Sequence, residues 1–278
     1  MSELNNFIFN CLQSFLLGLI QGVTEFLPIS STAHLKVVPY LFGLADPGAS
    51  ISASLQLGSA FAILYYFRHE VSELINASFS IYNDRKLFKD DNTKLVVFIF
   101  IASIPILIVG LSIKLFWPSF TDSNFRGLFS IAVVSIVMSV LLALAEIYGK
   151  KKKSFSDIKL KDIIYLGISQ TLAIFPGVSR SGITLTSALF SGIERNTAAR
   201  LSFLVGIPAI TISGFVELIT LYKTSTLIDI VPLIIGITSS FISSIFAIDL
   251  LLKFLAKNNT LIFVYYRLAF GVFILSTL

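Results

Sequence analysis

Two short polar segments carry the side chains in this sequence that could do chemistry. The first, from Gln21 to His34, reads Gln-Gly-Val-Thr-Glu-Phe-Leu-Pro-Ile-Ser-Ser-Thr-Ala-His. Ser31 and His34 are three positions apart and would share one face of a predicted helix. A hydroxyl beside an imidazole is the pairing that activates a serine nucleophile. The alternatives are that Glu25 only reaches a membrane interface and that Ser30 or Ser31 only caps a helix.

The second segment, from Pro176 to Thr184, reads Pro-Gly-Val-Ser-Arg-Ser-Gly-Ile-Thr. Arg180 is always charged, and its planar guanidinium matches the geometry of phosphate oxygens. The flanking hydroxyls are hydrogen-bond donors, and the N-terminus of a following helix would direct N–H groups at an anion. The segment therefore predicts a phosphate-binding loop. The alternative is that Arg180 only pairs with Glu25 as a structural ion pair.

The composition indicates where these segments lie. The chain has 278 residues, of which 55% are hydrophobic and 13% charged, and its mean hydropathy is +0.87. Such a chain is a multi-span membrane protein and not a soluble globular protein. An unpaired backbone group in hydrocarbon costs several kcal/mol, so a polar break survives there only inside protein or beside a watery cavity. We therefore interpret the two segments as walls of one active site.

The apolar runs predict an all-α membrane fold. The run 7–20 is short for a span, so it predicts the first arm of a re-entrant hairpin with its tip at 21–34. The returning arm would be 31–44, followed by a turn at 46–48. The pattern recurs as an arm at 163–175, a tip at 176–182 and a returning arm at 183–192. Full spans are predicted at 51–67, 95–116, 127–148, 201–222, 230–252 and 261–278.

The two halves are predicted to be inverted repeats. Residues 21–30 and 170–179 match in spacing at an offset of 149 positions. We expect residues 1–149 to form one repeat with a re-entrant loop at 21–34, and residues 150–278 a second with a loop at 176–184, within one membrane domain. Because each half would have three spans, an odd number, the second half would enter the membrane from the side opposite to the first. The competing count treats 7–20 and one later short segment as full spans.

The loop charges predict an orientation in the plasma (inner) membrane. Cytoplasmic loops are rich in Lys and Arg. Most of the basic loop residues fall in three connections: Arg68, Arg85, Lys86, Lys89, Lys94; Lys150, Lys151, Lys152, Lys153, Lys159, Lys161; and Lys253, Lys257. The alternating loops 117–125 and 223–229 contain only Lys223. We therefore expect these two loops, and the larger opening of the active site, on the external face.

A carboxylate, a hydroxyl with a neighbouring imidazole and an arginine are the parts that phosphoryl transfer requires. A divalent cation, held by carboxylate and phosphate, often completes the site. A site at membrane depth implies a lipid phosphate.

With these residues in view, the chain resembles the undecaprenyl-pyrophosphate phosphatase family, also called bacitracin-resistance proteins. The resemblance rests on Gln21-x-x-x-Glu25 followed by Phe26-Leu-Pro-Ile-Ser-Ser-Thr-x-His34, and on Pro176-Gly-x-Ser-Arg-Ser-Gly-x-Thr184. It continues in Gln56-Leu-Gly58, Ile104-Pro105, Ser202-Phe-Leu204 with Pro208, and Tyr266-Arg267.

The resemblance implies hydrolysis of a C55 polyprenyl pyrophosphate to the monophosphate carrier used for cell-envelope polymers, with Mg²⁺ or Ca²⁺ required. By position, Glu25 would be the essential acid and cation ligand, Ser31 the nucleophile, and Arg180 the phosphate clamp. His34 would be the partner of Ser31 or the leaving-group acid, or itself the nucleophile; direct attack by water is the alternative chemistry. The remaining site would be lined by Gln21, Ser30, Thr32, Gly177, Ser179, Ser181 and Thr184.

The chain also departs from the family pattern. Many relatives carry Glu where this chain has Gln21, which puts a two-carboxylate metal site in doubt. The rival function is a polyprenyl-phosphate transporter or flippase, because inverted repeats with broken helices are transporter architecture. The expected partners are the lipid substrate and membrane lipids, with no nucleic acid and with a homodimer left open.

Overall fold

The fold is all-α, as the computed structural model shows for residues 2–44, 46, 48–224 and 227–278. In these ranges the chain forms helices joined by short 3-10 turns, with one isolated β-bridge between Lys153 and Ile193. The helices are α1 (Ser2–Phe26), α2 (Ser31–Leu41), α3 (Gly48–Tyr66), α4 (Arg68–Asp84), α5 (Asp91–Phe116), α6 (Leu128–Tyr148), α7 (Leu160–Gln170), α8 (Arg180–Phe190), α9 (Arg195–Thr224), α10 (Leu227–Leu255) and α11 (Leu261–Ser276).

Within the described ranges, five helices are long and apolar enough to cross a membrane: α1, α5, α6, α9 and α10. The last four correspond to the spans predicted at 95–116, 127–148, 201–222 and 230–252, and only α6 begins one residue later than predicted. The spans predicted at 51–67 and 261–278 correspond to α3 and α11, whose apolar stretches are shorter. The chain is therefore a multi-pass membrane protein. The predicted turn at 46–48 and loop at 223–229 include residues 47, 225 and 226, which lie outside the described residues.

The predicted first arm, 7–20, was wrong in its length. Helix α1 continues without a break to Phe26, so Gln21 and Glu25 lie on its last turns and not in a loop. Residues 21–26 include no proline, so each keeps the backbone N–H that a helix needs. Pro28 has no backbone N–H, and the helix ends before it. The break between α1 and α2 is therefore only residues 27–30. The second break, residues 171–179, lies earlier than the predicted tip at 176–182, because α7 ends at Gln170 and α8 begins at Arg180; a 3-10 turn covers Thr171–Ile174.

The two breaks end in the same local structure. Ser30 and Ser179 both have positive φ, 76° and 70°, and each is the N-cap of the helix that follows. The hydroxyl of Ser30 accepts from the N–H of Ala33, and that of Ser179 accepts from the N–H of Gly182. These caps fix the first turns of α2 and α8, so that Ser31 and Arg180 occupy equivalent first positions.

Helix α1, which leads into the first break, packs closely on α10. Gly18 and Gly22 face Ser239 and Ser243 so closely that a Cβ on either glycine would lie 2.0 Å from a serine Oγ. Small residues let helix backbones approach in a membrane, where no hydrophobic effect drives helices together. The serine hydroxyls donate to carbonyls of α1, including that of Phe15. This contact holds the helix that carries Glu25.

The α1–α10 contact leads to a stability prediction. In Gly22→Val the new Cβ would meet the Ser243 Oγ at 2.0 Å and the Ser240 carbonyl oxygen at 2.4 Å. Overpacking of this kind costs about 1–3 kcal/mol or more, so thermal unfolding in detergent should begin at a lower temperature. Gly110→Val makes the same change in α5 where nothing lies within 4 Å, and it should not lower that temperature. Equal unfolding temperatures for the two variants would contradict the close packing.

Candidate active site

Glu25 is buried at the end of α1 and has polar partners from both breaks. Its Oε2 accepts from the Gln21 amide at 2.9 Å and from the Ser31 hydroxyl at 2.8 Å. Its Oε1 accepts from Arg180 Nη2 at 3.0 Å. Only 6% of the residue is exposed. The predicted carboxylate, hydroxyl and arginine therefore lie in direct contact.

Arg180 is fixed at the start of α8 by two of its three side-chain nitrogens. Besides the bond to Glu25, Nη1 donates to the carbonyl of Ser202 on α9 at 3.2 Å. Its Nε is buried and has no hydrogen-bond partner among the residues that the structure describes. Unpaired buried donors are rare because each loses its hydration without compensation. A phosphate oxygen at this point would satisfy the donor.

Ser181 and Thr184 lie on the far side of Arg180, inside the protein. The Ser181 hydroxyl is within hydrogen-bond distance of the carbonyls of Glu25 and Leu27, at 2.9 and 3.1 Å. The Thr184 hydroxyl donates to the Arg180 carbonyl and contacts Ser202. Ser181 therefore holds α8 against the end of α1 and Thr184 holds it against α9, and neither residue lines the cavity.

His34 does not pair with Ser31 in the described hydrogen bonds. Its Nδ1 is 2.7 Å from the Ser30 carbonyl oxygen, which can only accept, so Nδ1 carries the proton. In the neutral ring Nε2 is then an acceptor for the Tyr266 hydroxyl at 2.6 Å, and the ring stacks on Phe270 at 4.3 Å. The expected hydroxyl–imidazole pairing is not formed, because Ser31 turns toward Glu25 and His34 toward α11.

A cavity of about 1250 Å³ opens onto these side chains. Six of the predicted site residues line it: Glu25, Ser30, Ser31, Thr32, Ser179 and Arg180. The other five predicted residues, Gln21, His34, Gly177, Ser181 and Thr184, are not among its lining. The polar end of the cavity therefore coincides with the first turns of α2 and α8.

The outer part of the cavity is both apolar and charged. Apolar side chains of α5 and α9, among them Ile106, Leu107, Leu111, Ile210 and Val216, form its walls. Charged pairs line its mouth, where Asp46 lies 3.0 Å from Lys36 and 3.9 Å from Arg126. Burial disfavours the charged form of Asp46, but the Gly48 N–H and Lys36 hold its pKa below the ordinary value. The cavity can thus accommodate a molecule with a charged group and an apolar chain.

Three residues at the site had no role predicted from the sequence. Arg267 contacts both breaks, Tyr266 contacts His34, and Ser202 contacts Arg180 and Thr184. An ionisable residue within an apolar run is a signal of function, and it could have identified Arg267. No comparable signal marks Ser202, because its role is to present a backbone carbonyl.

The described residues contain no group of three or more His, Cys, Asp or Glu side chains that could hold a metal ion. The oxygen atoms beside Glu25 nevertheless suit a hard cation. Gln21 donates to Glu25 through its amide Nε2, and the Oε1 of the same amide is buried and accepts no hydrogen bond from the described residues; Ser31 adds a hydroxyl oxygen. Mg²⁺ and Ca²⁺ prefer such oxygen ligands, completed by water or phosphate.

Comparison with known proteins shows the family to which the chain belongs. The family model of bacitracin resistance protein BacA matches residues 14–273, which include both breaks. The chain belongs to the BacA family. Proteins named undecaprenyl-diphosphatase are similar to it: those of Prochlorococcus marinus strains NATL1A and NATL2A are 70% and 69% identical over 99% of both chains. That of Synechococcus sp. strain CC9311 is 47% identical over 95% of this chain and 93% of its own.

Proposed function

We propose that this protein hydrolyses undecaprenyl pyrophosphate to undecaprenyl phosphate and inorganic phosphate, and so recycles the lipid carrier of cell-envelope synthesis. The observation that carries the proposal is the buried contact of Glu25 with Ser31 and Arg180 at the polar end of a cavity with apolar walls. The enzyme name of relatives that match the full chain supports it. The same name favours a phosphatase over the alternative of a transporter or flippase.

In this proposal Ser31 attacks the terminal phosphorus in line. Its Oγ–P bond forms while the bond from phosphorus to the bridging oxygen breaks, and undecaprenyl phosphate leaves. Glu25, 2.8 Å from the Ser31 oxygen, receives the hydroxyl proton. A water then forms a new bond to phosphorus and the Ser31 oxygen–phosphorus bond breaks. The proton held by Glu25 returns to the Ser31 oxygen, and both water protons leave with inorganic phosphate as its dihydrogen anion, so that Glu25 is a carboxylate again.

The positive charge needed on the transferring oxygens comes from residues that are already in place. Arg180 Nε is the buried donor without a partner, and the first turns of α2 and α8 offer backbone N–H groups to an anion. Glu25 and Gln21 Oε1 would hold Mg²⁺ or Ca²⁺, which supplies further neutralisation of phosphate charge. His34 keeps the first turn of α2 in place through the Ser30 carbonyl, and we assign it a supporting role instead of nucleophilic attack.

We also propose that the two halves are inverted repeats in which α1–α2 and α7–α8 form re-entrant hairpins. The equivalent caps at Ser30 and Ser179, 149 positions apart, support this arrangement.

Lys36, Trp117 and Arg126 line the cavity, next to a loop that the charge count assigns to the external face. The substrate would therefore enter from outside the plasma membrane, with its prenyl chain against α5 and α9.

The proposed activity predicts cation-dependent phosphate release from undecaprenyl or farnesyl pyrophosphate by purified protein in detergent. EDTA should abolish the release. Glu25→Ala, Ser31→Ala and Arg180→Ala should each reduce kcat by at least about 10²-fold, since each removes a group that contacts the reacting phosphate.

The matched control is Arg200→Ala, which breaks the Glu70–Arg200 ion pair outside the cavity. It should keep activity within about twofold, because exposed ion pairs contribute little. Failure of folded wild-type protein to release phosphate from either lipid would contradict the enzyme. Full activity of Ser31→Ala would assign the attack to water.

The position of Gln21 predicts a change in cation requirement. In Gln21→Glu a second carboxylate would face Glu25, and a bound cation would relieve their repulsion. The cation concentration for half-maximal activity should fall by about tenfold, since ligand charge tunes affinity for these ions. Gln21→Leu removes the amide oxygen and should raise that concentration. If both variants and the wild type reached half-maximal activity at the same cation concentration, residue 21 would not face the cation.

The proposed orientation predicts opposite labelling of two loops in intact cells. In a Cys11→Ala background, Asn124→Cys in the loop between α5 and α6 should react with a membrane-impermeant maleimide. Asn258→Cys, between α10 and α11, should react only after permeabilisation. Both positions are exposed in the structure, so burial cannot produce the difference. Labelling of Asn258→Cys alone would reverse the orientation.

A further inference from the structure

Arg267 lies on α11, within the membrane-spanning core, and it is only 1% exposed. Within the described part of the chain its guanidinium makes no ion pair, and its hydrogen bonds go to backbone carbonyls. A buried charge without a carboxylate partner is costly, because desolvation is not offset by an opposite charge. Such an arginine needs another reason to be present.

The carbonyls that Arg267 contacts come from both breaks. Its Nη1 donates to the Pro28 carbonyl at 3.0 Å and to the Val178 carbonyl at 3.1 Å, and Nη2 donates to the Gly177 carbonyl at 2.6 Å. One planar group therefore joins residues that lie one or two positions before the caps of α2 and α8. A lysine could not do this, since its ammonium is a single point charge without the fixed fork of donors.

The position of these carbonyls connects Arg267 to the reacting groups. Pro28 is two residues before the cap Ser30 and three before Ser31; Val178 is one residue before the cap Ser179 and two before Arg180. We propose that Arg267 is a positioning residue for phosphoryl transfer, which clamps the two breaks together and thereby sets the separation of Ser31 from Arg180. This inference rests on the proposed phosphatase function.

The clamp also changes the charge balance of the site. Glu25 and Arg180 neutralise each other, whereas the charge of Arg267 is not balanced by a described carboxylate. The core around the two breaks is therefore net positive before substrate binds. Arg267 does not line the cavity, so it acts on the reacting groups through the backbone of the two breaks.

The test compares Arg267→Met and Arg267→Lys with Gly271→Ala, a control one helical turn further along α11. A Cβ at Gly271 would meet Ile136 Cγ1 at 2.6 Å and the Ala132 carbonyl oxygen at 2.9 Å, so this variant disturbs the α11–α6 packing without touching either break. Phosphate release, KM and unfolding temperature are measured for each protein in detergent. The assays are run well below the unfolding temperature, and kcat is expressed per folded molecule.

We expect Arg267→Met to lower kcat by about 10²-fold with KM within about threefold, since displacements near 1 Å have effects of that size. Arg267→Lys should have an unfolding temperature closer to that of the wild type than Arg267→Met has, while its kcat stays low. The lysine variant also allows the test to be made if the methionine variant does not fold. Gly271→Ala should lower only the unfolding temperature.

Two results would overturn the positioning role. Unchanged kcat per folded molecule in the lysine variant and in any folded methionine variant would make Arg267 purely structural. A rise in KM at constant kcat would make it a substrate-binding group. The wild-type assay separates this test from the proposed function, because loss of the phosphatase hypothesis would appear as no phosphate release before any substitution.

Discussion

The site depends on one buried carboxylate that contacts polar groups from two distant parts of the chain. Glu25 accepts from Ser31 on α2 and from Arg180 on α8, and the two donors are far apart in sequence. Charge-assisted hydrogen bonds of this kind are short and roughly twice as strong as neutral ones. The carboxylate therefore fixes the relative position of the groups that would attack and stabilise a phosphate.

A membrane protein must satisfy the backbone groups that its helix breaks leave unpaired, because hydrocarbon offers no hydrogen bonds. In this protein a serine side chain caps the helix that follows each break. Ser181 donates to carbonyls near the end of α1, and Arg267 donates to carbonyls of both breaks. The carbonyls freed by the breaks thus receive donors from elsewhere in the protein, as a non-helical backbone at this depth requires.

The site is also asymmetric in spite of its matching caps. Ser31 and Arg180 occupy equivalent first positions of α2 and α8, yet one is a small hydroxyl and the other a long cation. Gln21 lies one helical turn before Glu25 and donates to it, whereas Gln170, at the equivalent place before the second break, donates to the Ala102 carbonyl. In the proposed repeat, one half would therefore carry the nucleophile and the carboxylate, and the other half the arginine that binds the anion.

The sequence by itself determined the membrane class, most of the long spans and the two polar segments, because hydropathy and residue type depend only on local composition. It also placed Glu25, Ser31 and Arg180 in one site, since buried charges in a membrane need partners. The end of α1 at Phe26, the turn of His34 toward Tyr266 and the contacts of Arg267 were decided by tertiary structure. Each depends on which helix packs beside the residue, and the spacing of residues along one chain does not contain that information.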